Sequence, residues 1–132
     1  MSKDDLYITI AGTIGAVGEV PEVLDGMNLT ENAAKLVRIG SLIDKRFLLL
    51  SLSSGYAQEQ LFEKVNQMAQ PKLALHRIKS TALAIPPMNE QQRIVKKVDE
   101  LMALCDQLKE RLNQAGETRC QLAETIVESA LQ

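Results

Sequence analysis

Lys72, His76, Arg77 and Lys79 fall within eight residues, and Asn66-Gln67 and Gln70 precede or adjoin them. Cations at this density bind phosphates, and neighbouring amides can hydrogen-bond base edges. A solvated polar loop has the same composition, and spacing alone does not separate the two readings. Lys35 with Arg38, and Lys45 with Arg46, are sparser basic pairs for which an ordinary charged surface is the simpler account. Tyr7 and Tyr56 could stack on a base, but a core or edge position suits them better.

Catalytic chemistry finds little to work with. The glycines at 12, 15 and 18 are spaced G-x-x-G-x-x-G, which is neither a dinucleotide fingerprint nor a P-loop. Ile85-Pro86-Pro87-Met88 superficially resembles the Asn/Asp-Pro-Pro-aromatic motif of amino-methyltransferases. Ile85 cannot accept a hydrogen bond from a substrate amine, however, and Met88 cannot stack as an aromatic ring does. No Lys has an acidic residue two positions before it, so the Asp/Glu-x-Lys pattern of metal-dependent nucleases is missing. His76 is the single histidine, and Cys105 and Cys120 are the two cysteines, too few and too far apart for a zinc site. Free thiols in a reducing compartment are expected, with no cofactor, no metal and no enzymatic activity.

Composition agrees with a folded protein: 45% hydrophobic and 24% charged residues over 132 positions. No apolar run approaches the roughly 20 residues that span a bilayer. The polar start, Met1-Ser2-Lys3-Asp4-Asp5, lacks the pattern of a signal peptide, and a cytoplasmic location is expected. Net charge is −2, with nine Lys/Arg against nine Asp/Glu in residues 1–80 and six against eight thereafter. Any DNA-binding surface must therefore come from local clustering in the first part.

These side chains must be positioned by short elements. Residues 6–10 read as a strand, followed by turn glycines, with a second strand at 33–39. Asp44 can cap a helix over 45–52 that Gly55 stops, and a further helix is expected at 56–66. Lys72–Leu75 and Ala82–Ile85 are strand candidates on either side of the basic turn. Pro86-Pro87 then breaks the chain. Asn89 with Gln92 makes a variant capping box for a long helix.

That helix carries a heptad. Ile94, Leu101, Leu108, Ala115 and Leu122 occupy d; Val98, Cys105, Leu112, Arg119 and Ile126 occupy a, and nine of the ten are apolar. Alternating spacings of four and three over more than four heptads signal a coiled coil. Gly116 costs about 1 kcal/mol in a helix interior, and a helical hairpin turning there is the alternative. The register runs through Gly116 unbroken, so one continuous helix is favoured. The fold class is thus α+β: a small head of short strands and helices in residues 1–86, then one long coiled-coil-forming helix in 87–132.

The stretch from Ala84-Ile85-Pro86-Pro87-Met88-Asn89-Glu90-Gln91-Gln92 through Leu108 resembles the DNA-specificity subunit of type I restriction–modification systems. There a target-recognition domain passes through a Pro-Pro-x-x-Glu-Gln motif into a conserved spacer helix. Ile8-Thr9-Ile10-Ala11-Gly12-Thr13-Ile14-Gly15 and Asn28-Leu29-Thr30-Glu31-Asn32-Ala33-Ala34 are similar to upstream segments of the same domains.

The resemblance implies a non-catalytic subunit in which recognition domains read DNA half-sites. Two spacer helices pair antiparallel to set their separation, and modification and restriction subunits dock around them. Against that pattern, this chain holds the latter part of one recognition domain and one spacer helix. DNA contact is expected through Gln70, Lys72, His76, Arg77 and Lys79. A homodimer is expected through Ile94, Val98, Leu101, Cys105, Leu108, Leu112, Ala115, Leu122 and Ile126, arranged antiparallel so that Arg119 reaches an acidic flank such as Glu100 or Glu110. The competing function is a coiled-coil assembly or regulatory fragment that binds subunits but not DNA.

Overall fold

The computed structural model describes residues 2–37, 42–62 and 73–131. The chain divides into two units, Met1–Val95 and Lys96–Gln132.

The first unit is built on a three-stranded antiparallel sheet of β1 (Leu6–Thr9), β2 (Val17–Glu19) and β3 (Ala33–Leu36), in the order β2-β1-β3. Central β1 alternates as a strand with one covered face should: Leu6 and Ile8 are buried, Tyr7 and Thr9 only partly. Its register sets Tyr7 opposite Gly18 and Lys35. Gly18, expected in a turn, therefore lies inside β2, where a Cβ would run into the Tyr7 ring. The turn itself uses Gly12 and Gly15, both at positive φ. Thr9 stitches it closed: its N–H donates to the Ala16 carbonyl at 2.9 Å, its carbonyl accepts from Gly15 at 2.8 Å, and its hydroxyl reaches the Thr13 carbonyl.

Helices cover the sheet. Asp44 caps α1 (Lys45–Ser53), its carboxylate accepting from the Phe47 N–H at 2.9 Å. Gly55 does not end this helix; Ser54 separates α1 from α2 (Gly55–Phe62), which Gly55 opens. The expected continuation of α2 to residue 66 lies outside the described residues. Ile8, Leu61 and Leu73 form the centre of the core, with Ile10, Ile14, Val17, Ala34, Leu36, Phe62 and Ile78 packed around it.

Residues 75–80 form a short helix, α3 (Leu75–Ser80), where the end of a strand and a basic turn are expected. The segment 81–87 joins no sheet. It is held instead by a glutamine that imitates a neighbouring strand: the Ala82 N–H donates to Gln60 Oε1 at 2.9 Å, and Gln60 Nε2 donates back to the Ala82 carbonyl at 3.2 Å.

The last element, α4 (Met88–Ala130), is a single helix of 43 residues that passes through Gly116 without a break, about 65 Å long at 1.5 Å per residue. It starts one residue before Asn89, and the Glu90 and Gln91 N–H groups share the Pro87 carbonyl. The second unit consists of this helix. From Asp99 to Leu131 every side chain is exposed, Gly116 alone being classed as intermediate.

Candidate nucleic-acid interface

The described part of the basic cluster sits on α3. His76 and Lys79 are exposed and Arg77 is half-buried. Arg77 and Lys79 occupy the last turn, where cations also suit the negative end of the helix dipole. That turn is tightened by the Ser80 and Thr81 hydroxyls, both donating to the Arg77 carbonyl at 3.0 Å. Among the described residues no carboxylate pairs with His76, Arg77 or Lys79. Three donors on one short helix thus stand free to meet phosphates. Gln70 and Lys72, the other two expected contacts, lie outside the described residues.

Lys79 does not stand alone. It lines a cleft of about 340 Å³ together with Lys35 on β3, over a floor that includes Ile10, Ala34, Leu36 and Ile78. Lys35 is steadied by Asp5 at 3.8 Å, a carboxylate held almost out of solvent. Spacing gave no reason to join Lys35 with Lys79, more than forty residues away; antiparallel pairing of β3 with β1 and packing of Ile78 on the core bring them together. Of the other basic pairs, Arg38 is outside the described residues. Lys45 is engaged with Glu19 at 3.5 Å and with the Lys3 carbonyl at 2.7 Å. Tyr56 is exposed, whereas Tyr7 lies across β2.

Gln91, the last residue of the Pro-Pro-x-x-Glu-Gln stretch, fixes the start of α4. Gln91 is fully buried. Its Oε1 accepts from the Asp44 N–H at 2.8 Å, and its Nε2 donates to the carbonyls of Leu42 at 3.0 Å and Pro86 at 2.8 Å. One amide therefore clamps the loop before α1, the Pro-Pro break and the first turn of α4. A buried amide is tolerated when its hydrogen bonds are made, and here they are.

The residues expected to pair helices share one face of α4. Ile94 and Val98 are half-buried. Leu101, Leu108, Leu112, Leu122 and Ile126 are 50–72% exposed, and Cys105, Ala115 and Arg119 are exposed with them. These side chains form a long exposed apolar stripe. Both cysteines are free. Among the described residues, no helix is long and apolar enough to cross a membrane. No three His, Cys, Asp or Glu side chains gather there to hold a metal ion.

Comparison with known proteins follows this geometry. Residues 1–117 match the type I restriction modification DNA specificity domain. The chain is 30% identical over 128 residues to the specificity subunit of the type I restriction enzyme EcoBI of Escherichia coli, covering 97% of this chain and 27% of that protein. It is 25% identical over 132 residues to the EcoEI specificity subunit of the same organism, covering 96% of this chain and 22% of that one. The crystal structure of the HsdS subunit from Thermoanaerobacter tengcongensis superposes with a TM-score of 0.71 at 23% identity, over 87% of this chain and 30% of the other. This likeness places the fold. The chain spans about a quarter of the length of the curated relatives it matches.

Proposed function

We propose that this chain, which belongs to the family of type I restriction modification DNA specificity domains, serves a restriction–modification complex as a non-catalytic recognition and assembly piece. Residues 1–86 are the part of a target-recognition domain that touches DNA. Residues 87–132 are a spacer helix that pairs with another helix and docks modification and restriction subunits. A second copy in antiparallel array is the symmetric case of that pairing. The work is cytoplasmic, where the DNA and the other subunits are.

The observation that carries the DNA contact is the cationic edge of α3, with which no carboxylate pairs among the described residues, and Lys35 lining the same cleft as Lys79. Phosphate contacts of this kind are read by their salt dependence. Each phosphate neutralised contributes about −0.9 to the slope of log K against log[salt] on duplex DNA. Binding of a duplex by the full chain, followed by anisotropy from 50 to 300 mM salt, is the test. Arg77→Ala with Lys79→Ala is expected to flatten the slope by about 2. An unchanged slope would remove α3 from the interface. No binding at any salt leaves the competing role, an assembly fragment that holds subunits but not DNA.

A further inference from the structure

Beyond Glu90, a g-position acid paired with Arg93 in the first turn, the charges beside the seam of α4 have one sign. With Ile94 at d and Val98 at a, the flanking e and g positions between residues 95 and 125 hold Lys97, Lys109 and Arg111 and no acid. Arg119 lies on the seam itself. The acids of the helix beyond residue 95, from Asp99 to Glu128, all fall on b, c or f positions, turned away from the seam. Because α4 is unbroken through Gly116, this register holds along its whole length.

Nothing within the helix neutralises these cations well. Lys97 meets Glu100 at 3.4 Å and Lys109 meets Asp106 at 4.0 Å, both exposed i,i+3 pairs of little strength. Among the described residues no carboxylate pairs with Arg111 or Arg119.

On their e and g flanks two copies of this helix do not answer each other; the acid that antiparallel overlap brings nearest a cation is Glu100, at c beside the Leu101 that Arg119 faces. An in-register parallel pair sets Arg119 against Arg119 in one layer. An antiparallel pair with full overlap is centred on Glu110, which sets Lys109 against Lys109 on one flank and Arg111 against Arg111 on the other. Sliding by a heptad separates the like charges but still brings no acid opposite a cation, and it leaves part of the apolar stripe bare. Flanking charges govern which helices pair, so this pattern reads as a choice of partner.

We infer that the seam of α4 selects a partner helix carrying Asp or Glu on its own flanks over a second copy of this chain. The inference rests on the helix pairing proposed above and names its occupant.

The test uses the full chain and two synthetic heptad peptides with Leu at a and d, one with Glu and one with Lys at every e and g. The Glu peptide is expected to bind at least ~10-fold tighter at low salt, with the gap closing as salt rises. Lys109→Glu with Arg111→Glu is expected to reverse the preference. Equal binding of both peptides overturns the charge selection and leaves helix pairing standing. A chain that sediments as a tight dimer at tens of micromolar and ignores the Glu peptide overturns it in favour of a second copy. A monomeric chain that binds neither peptide overturns both the selection and the pairing beneath it.

Discussion

Gln91 gives the sharpest test of how head and helix are joined. Gln91→Ala removes three hydrogen bonds and leaves the Asp44 N–H and the Leu42 and Pro86 carbonyls without that partner. A buried polar group left unpaired costs about 1–3 kcal/mol. Leu42 is 75% exposed, so water can reach its carbonyl and the penalty falls mainly on the other two groups. The expected loss is about 2–4 kcal/mol. At an m-value of about 1–2 kcal/mol/M in urea, the midpoint moves down by about 1–4 M. Gln91→Leu restores bulk but no partners and should lose a similar amount, which separates hydrogen bonding from cavity formation. Gln91→Glu adds a pH signature. Burial and the two facing carbonyls push the new carboxyl up, so the folded state holds its proton more tightly than the unfolded one. Stability of that variant is greatest below the unfolded value of about 4.3 and falls as pH rises towards the folded value. A midpoint shift below about 0.3 M for both Ala and Leu would refute the clamp.

Gly116→Ala should stabilise α4 by up to about 1 kcal/mol, seen as a higher helical ellipticity and melting midpoint, since nothing lies within 4 Å of an added Cβ; a lower helix content would mean the helix turns there after all. Gly15→Ala should cost about 1–3 kcal/mol in urea unfolding, because Gly15 has φ of 83° and an added Cβ would come within 2.9 Å of the Phe62 ring. An Ala at 15 that leaves the urea midpoint in place would show that the turn does not need its left-handed residue.

The parts legible in the sequence are those with a local cause. Asp44 announces α1 because capping is a contact between neighbours, and α4 is announced by a period maintained over many turns. What escaped reading depends on partners far along the chain. Residues 75–80 offer only Leu75 and Ile78 as apolar signals, too few to separate helix from strand. Ala82–Ile85 looked like a strand, yet its backbone partner is the Gln60 side chain, which no period encodes. Gln91 sits amid polar neighbours and is buried for its amide, so hydrophobic patterning passes over it. Of the residues proposed to contact DNA, the basic cluster was visible as composition, while the nearness of Lys35 to Lys79 emerged only through the pairing of β3 with β1.

The clamp at Gln91 divides one continuous helix into two thermodynamic regimes. The turns through Val95 belong to the first unit and unfold with its core. The turns beyond are a solvent-bathed peptide helix, and such helices are marginal in water without a covering surface. Amide protons along α4 should thus exchange in two classes, slow near Gln91 and fast towards Ala130. Under the helix pairing proposed above, the boundary between them would advance along the rod on binding, which would make the helix a gauge of its own occupancy.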